Sequence, residues 1–349
     1  MNKLLYFPYI SLPNNQWVSR TLLYWEEVAS IVPFDFISRP HMLGQYMREL
    51  VHNGLVKQII PEQYVYDFND FEANFFNYIE NDSFFNHLSA LGQLGELGNG
   101  KILRTQKVHM GKMRYLGDEL VRRGLAKPCN DWFEVEEYTA NSFMIYLAIL
   151  IGNKTQYVPS TDRYNGFNNI LARTNDVDIM RNTKRRVRDE LRANILEKIL
   201  PVPEGNIDCL ELLRFKDRHS EELVRYRNYV ENFLIDLDAI NIEYKDERVK
   251  RFLEESKEEV ESIKEKLSVF GSINLDFISL CSISSAIFPV VDAINSGNQN
   301  SLAGAIPGLL GAIYSTLRSS DHNEIRRQPL AYAAITSRDY NRFRRNIVM

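Results

Sequence analysis

Asp35 follows the apolar run IVPF at 31–34, where a strand would hand over to a loop. Open α/β sheets hold ligands outside the carboxyl ends of their strands, so Asp35 is the candidate catalytic residue. General acid–base chemistry there would need a second titratable group beside it. A lone acid after a strand also serves as a helix or turn cap. His41, His52, His87, His109, His219 and His322 are scattered, and none has HExxH spacing. The chain has no P-loop, GxGxxG or GxSxG motif. The stretch GQLGELGNG (92–100) lacks the lysine of a phosphate cradle and reads as a connector. Cys129, Cys209 and Cys281 form no CxxC pair, which predicts free thiols in a reducing cytosol. Neither a metal nor a cofactor is expected. Lys216, Asp217, Arg218, His219 and Glu222 crowd into FKDRHSEE, a pattern more typical of solvated charge pairs than of a site.

The remaining chemistry is that of binding. Arg181, Lys184, Arg185, Arg188 and Arg192 fall at i, i+3, i+4, i+7 and i+11, on one face of a helix expected over 181–198. Such a stripe neutralises phosphates in a salt-dependent way. In the tail, Arg342 and Arg345 stand with Arg338 and Arg344 around Tyr340 and Phe343, a mixture suited to single-stranded nucleic acid. A net charge of −4 argues instead for a solvated face, so nucleic acid is the alternative partner. Between 277 and 317 the only charge is Asp292, and Gly304 and Gly308 have GxxxG spacing. A buried helical pair is the expectation, because neither half reaches the ~20 clean apolar residues of a membrane span. A membrane-active effector is the second alternative.

The elements that position these residues follow from periodicity. Strands are expected at 4–10, 30–37 and 55–60, with helices from Asn14 to about Ser30 and from Pro40 to Asn53. Trp17, Thr21, Tyr24, Val28 and Ile31 form the stripe of the first helix. This β-α-β-α-β alternation predicts a small α/β layer. Helices near Asp70 (presenting Phe71, Phe75 and Tyr78), near Asp82 and over 112–123 come next. A strand at 132–138 and an apolar helix at 141–152, capped by Thr139, follow. The opening MNKLLYFPYISLP carries prolines too early for a secretion signal and reads as the first strand of a mature cytosolic protein.

The clearest pattern begins at Asp208, which with Glu211 has capping-box spacing. Apolar residues fall at Leu223, Tyr226, Val230, Phe233, Leu237 and Ile240, and again at Val249, Leu253, Val260, Ile263 and Leu267. Two such seams joined by a break at NIEYKDE predict an antiparallel coiled-coil helical hairpin. Leu223, Tyr226, Val230, Phe233, Val260 and Ile263 are its candidate interaction residues. The expected organisation is a mixed α/β domain at 1–155, a basic helix and linker at 156–205, and the hairpin at 206–271. A helical C-terminal domain with small-residue-rich packed helices and an Arg-rich tail completes it at 272–349.

Two stretches, RELVHNGLVKQ (48–58) and DELVRRGLAKP (118–128), align with each other. A duplicated winged helix would have to keep the pair before glycine in type, and His52-Asn53 and Arg122-Arg123 differ. A glycine that ends a helix, followed by leucine folding back on the last turn, accounts for both copies.

The chain resembles a bacterial family known as a domain of unknown function. The likeness lies in LYFPYI…W…TLLYWEEVASIVP and MRELVHNGLVKQIIP, then in RGLAKP…WFEVEEYTANSFM, VPSTD, LLRFKDRHSEELVRYRNYVE and PLAYA. The resemblance implies a prokaryotic origin and a shared architecture over most of the chain, with no activity or site residue to carry over. Families of this type sit among accessory bacterial genes, so antiviral defence is the expected setting by analogy. The expectation is a non-enzymatic interaction protein that binds a protein partner or itself.

Overall fold

The computed structural model describes residues 3–66, 70–80, 104–162, 177–202, 208–269 and 321–339. Among these, one compact unit takes in 3–194, 202 and 208–215, and a second takes in 195–201 and 216–339.

The first unit is built on a parallel sheet of β1 (Lys3–Tyr6), β2 (Glu27–Ile31), β3 (Val56–Ile59) and β7 (Val158–Ser160), in the order β3-β2-β1-β7. The chain steps outward from β1 to β2 to β3, then returns to the far side of β1. This reversal makes a switch point between β1 and β7. The sheet therefore takes in residues beyond 155.

Asn15 rather than Asn14 caps α1 (Gln16–Tyr24), its side chain accepting from the Val18 N–H. The helix stops at Tyr24 because Trp25 turns to extended backbone. Val28 and Ile31, expected on the helix, belong to β2 instead. β2 is covered on both faces, and a doubly buried strand loses the alternation that would distinguish it. Residues 30–37 are thus not one strand: β2 ends at Ile31, and α2 (Phe34–Ser38) begins after Pro33. Pro40 starts a short 3₁₀ turn that leads to α3 (Gln45–His52).

After β3 come α4 (Glu62–Val65) and α5 (Phe71–Glu80). Phe71 and Phe75 are buried edge-on to Phe143. A small antiparallel sheet then forms from β4 (Thr105–His109), β5 (Ala126–Cys129) and β6 (Trp132–Glu136), with β6 in the middle. The helix expected over 112–123 is two pieces, α6 (Met110–Met113) and α7 (Leu116–Arg122), because Arg114 takes a left-handed φ of 52°. A side chain at Gly117 would overlap the Phe133 ring, so glycine lets α7 lie against β6.

The long apolar helix α8 runs Glu137–Thr155. Its cap is the Glu136 carboxylate, which accepts from the Tyr138 and Thr139 N–H groups at 2.8 Å. Thr139, the expected cap, lies inside the first turn and donates its hydroxyl to the same carboxylate. Leu5, Ala29, Ile31 and Ile59 of the parallel sheet share one core with the small sheet and α8.

Both glycine stops have the expected conformation. Gly54 and Gly124 take φ of 71° and 73°. The Leu55 N–H donates to the Leu50 carbonyl at 2.9 Å, and the Leu125 N–H to the Leu120 carbonyl at 2.8 Å. The glycine N–H groups reach Val51 and Val121, completing a Schellman motif at each site. The chain then enters β3 or β5. Gly54→Ala and Gly124→Ala should each cost roughly 1 kcal/mol, read as a lower urea midpoint by tryptophan fluorescence.

The second unit is helical. α9 (Val177–Ile199) and α10 (Cys209–Arg218) each begin in the first unit and end in the second. Asp208 caps α10 as its spacing predicts, accepting from the Leu210 and Glu211 N–H groups. α11 (Ser220–Asp238) and α12 (Ile242–Val269) are joined by residues 239–241 alone, a shorter break than NIEYKDE. Phe233 stacks on Phe252 at 3.7 Å, and Tyr229 Oη lies 3.0 Å from Ser256 Oγ, so the helices run antiparallel. α13 (Asp321–Arg327) and α14 (Ala331–Asp339) follow. Ala331 through Ser337 are all buried, and α14 packs on α11 and α12. This part of the chain, expected as charged tail, is core.

Among the described residues no helix is long and apolar enough to cross a membrane. The expected helix near Asp82, the connector at 92–100 and the segment 277–317 lie outside the described residues.

Candidate functional site

Three parallel strands of the first unit end close together, and each delivers a polar group. After β1 comes the carbonyl of Pro8. After β2 come the Phe34 N–H and the Asp35 carboxylate. After β3 comes Glu62, in the first turn of α4. The end of β4 adds His109, and α6 adds Lys112.

Asp35 stands in the first turn of α2, with its side chain 44% exposed. Oδ1 lies 3.2 Å from an Arg39 guanidinium nitrogen, and Oδ2 lies 3.8 Å from His109 Nε2. His109 is 1% exposed. Its ring is held edge-on by Trp132 at 5.0 Å and Phe36 at 5.4 Å. Nδ1 accepts from the Gly111 N–H at 3.1 Å, so the neutral imidazole carries its proton on Nε2. Nε2 has no hydrogen-bond partner among the described residues. Burial lowers the His109 pKa below its ordinary value, while Asp35 and Asp131 push the other way. The ring is therefore neutral at neutral pH.

Lys112 is 3% exposed and donates to the Pro8 carbonyl at 3.1 Å. Burial drives its pKa from 10.5 down to about 7, against the pull of Glu62. Glu62 Oε1 accepts from the Phe34 N–H at 3.1 Å, and Oε2 is buried with no hydrogen-bond partner among the described residues. Burial raises the Glu62 pKa, and Asp35 adds to the rise. A side chain at Gly111 would overlap Glu62 Oε1, so glycine permits this approach. Chemically the cluster is an acid–base set, with an exposed carboxylate, a neutral imidazole donor, a lysine poised near neutrality and a carboxyl group inclined to keep its proton.

Of this cluster, the sequence alone points to Asp35 and not to Glu62, His109 or Lys112. The one local signal is position: Glu62 follows QIIP, three residues past the end of β3, and His109 is the last residue of β4. Among the described residues no three His, Cys, Asp or Glu side chains are placed to hold a metal ion.

The other expected site residues lie elsewhere. Arg192 is 6% exposed, ion-paired with Asp189 and 5.0 Å from the Trp25 ring. It packs inside the first unit and is not a phosphate contact, because a guanidinium sharing helix spacing with other cations can still turn onto an aromatic face. Arg188 is half-buried on the same helix, α9, which also carries Arg181, Lys184 and Arg185. Arg338 pairs with Asp339 at 3.0 Å, and Arg342 and Arg345 lie outside the described residues. Leu223, Tyr226, Val230, Phe233, Val260 and Ile263 are all buried. They are the core of the helical unit rather than a free docking face, and Tyr226 stacks on Tyr332 of α14 at 5.9 Å. In FKDRHSEE, His219 and Glu222 are buried, and Glu222 accepts from Arg326 of α13 at 2.6 Å. That contact ties α11 to α13.

Fold and site together define a parallel α/β unit with an acid–base cluster at its strand ends, in a chain that also carries a helical unit. Comparison with protein-family models, curated proteins and solved structures finds no match to this chain.

Proposed function

We propose that the chain is a non-enzymatic, cytoplasmic bacterial interaction protein, in which α11 and α12 act as an antiparallel coiled-coil hairpin for a protein partner or a second copy. The observation that carries this reading is at the closed end of the hairpin. Ile235 and Tyr244 flank the 239–241 turn and are 54% and 58% exposed. Their neighbours Asp236, Asp238 and Glu243 are exposed too. Large apolar side chains ringed by charge are the usual composition of a contact surface. The seam residues bury inward and hold that end rigid, which lowers the entropic cost of binding. The accessory or antiviral setting rests on the family resemblance, by analogy.

Nucleic acid is the weaker reading, because Asp189 and Trp25 take up Arg192. Native mass spectrometry of protein purified from its host tests the proposal. The expected result is a stoichiometric complex or a homo-oligomer, lost in the Ile235→Asp, Tyr244→Asp double variant with helical content unchanged. A strict monomer with no bound chain would rule the reading out.

A further inference from the structure

We propose that His109 Nε2 and the Asp35 carboxylate form a subsite for a ligand hydroxyl, which would accept from Nε2–H and donate to Oδ2 once the Asp35 side chain has turned to admit it. This site lies in the first unit and does not depend on the helical hairpin.

His109 Nε2 and Asp35 Oδ2 are 3.8 Å apart, too far for a direct hydrogen bond. The donor is settled by its other nitrogen, since Nδ1 is occupied by the Gly111 N–H. A buried donor with no partner is costly. The rings of Phe36 and Trp132 hold the imidazole, so His109 cannot turn to find another acceptor.

A group that joins the two must accept from a neutral imidazole and donate to a carboxylate. A hydroxyl does both. An ammonium cannot accept, a carbonyl cannot donate, and an anion would face the charge of Asp35. The ligand class is therefore a small alcohol or polyol with one hydroxyl seated here. Asp35 is the movable part. Its exposed carboxylate lies 3.8 Å from Nε2 and is held on the other side by an ion pair to Arg39, itself solvent-exposed and so weak. Rotation about the Asp35 side-chain bonds admits the hydroxyl without backbone movement. Phe34, exposed beside it, offers an apolar flank for the carbon skeleton. The place in the fold agrees, since ligands of parallel α/β sheets sit at the carboxyl ends of the strands.

A water molecule has the same hydrogen-bonding chemistry, so the test separates the two sources. The full chain is labelled with ¹⁵N-histidine, and the His109 resonances are assigned by their loss in His109→Gln. Glycerol and D-ribose are titrated in turn, with 1,2-dimethoxyethane, which has no hydroxyl, as control. The expected result is a saturable shift at His109 Nε2 with at least one polyol and none with the ether. Asp35→Ala should weaken the polyol midpoint by roughly ten- to a hundred-fold while the other histidine resonances stay in place. No saturable shift with either polyol would mean bound water only and overturn the proposal. An unchanged midpoint in Asp35→Ala would overturn it equally.

Discussion

The stability of the first unit should climb as pH rises from about 7 to about 9.5, and Lys112→Met should flatten the climb. The cause is the burial of Lys112, which holds its pKa near 7 in the folded chain against 10.5 as the ordinary value. Between these values the unfolded chain binds a proton that the folded chain has released. Raising the pH therefore favours folding. The sign is opposite to that of a lysine gaining an ion pair, whose folded pKa rises. A displacement of this size corresponds to about 2–3 kcal/mol over the window. The measurement is urea denaturation followed by tryptophan fluorescence. Trp17, Trp25 and Trp132 are the only three in the sequence, and all lie in the first unit. Stopping near pH 9.5, below the ordinary tyrosine pKa of about 10, limits tyrosine ionisation in the unfolded chain to about a quarter. Lys112→Met leaves the Pro8 carbonyl without its donor, which costs about 1 kcal/mol at every pH and does not alter the slope. A wild-type slope that survives in Lys112→Met would assign the pH dependence to some other group.

Tyr226→Ala should destabilise the second unit by about 3 kcal/mol or more. Tyr226 is fully buried and stacks on Tyr332 of α14, so truncation opens a cavity between α11 and α14 that a rigid bundle fills poorly. The loss should appear in the helical circular-dichroism transition. The experiment distinguishes a core residue from a docking residue. A docking tyrosine would leave that transition in place and weaken only the capture of a partner.

Local features were legible in the sequence where a short window contains its own cause. The Gly54 and Gly124 stops, the Asp208 cap and the buried apolar faces of α11 and α12 are of this kind. Each is set by residues within about one or two helical turns of one another. Where burial removes the pattern, the sequence no longer shows the element. β2 is covered on both faces and has no alternation, so it merged with the end of α1. α14 has apolar and small residues all round, and its flanking charges made the whole stretch look like a tail. Arg192 keeps perfect helical spacing with other cations, yet its guanidinium packs on Trp25, because spacing fixes the face of a helix and not what covers it.

The same distinction divides the candidate site. Asp35 could be named from the sequence because IVPF precedes it directly. His109, Glu62 and Lys112 could not be joined to it, since Glu62 lies 27 residues downstream of Asp35 and the Lys112–Pro8 hydrogen bond spans 104. Their convergence depends on β1, β2 and β3 pairing in parallel, so that all three chains arrive at one end, and on α6 being laid across that end by the small sheet. The sequence thus determined the glycine stops at Gly54 and Gly124, the Asp208 cap and which faces are apolar, through rules that act over neighbouring residues. The tertiary structure alone decided which groups meet and, by removing water from them, how strongly each holds its proton.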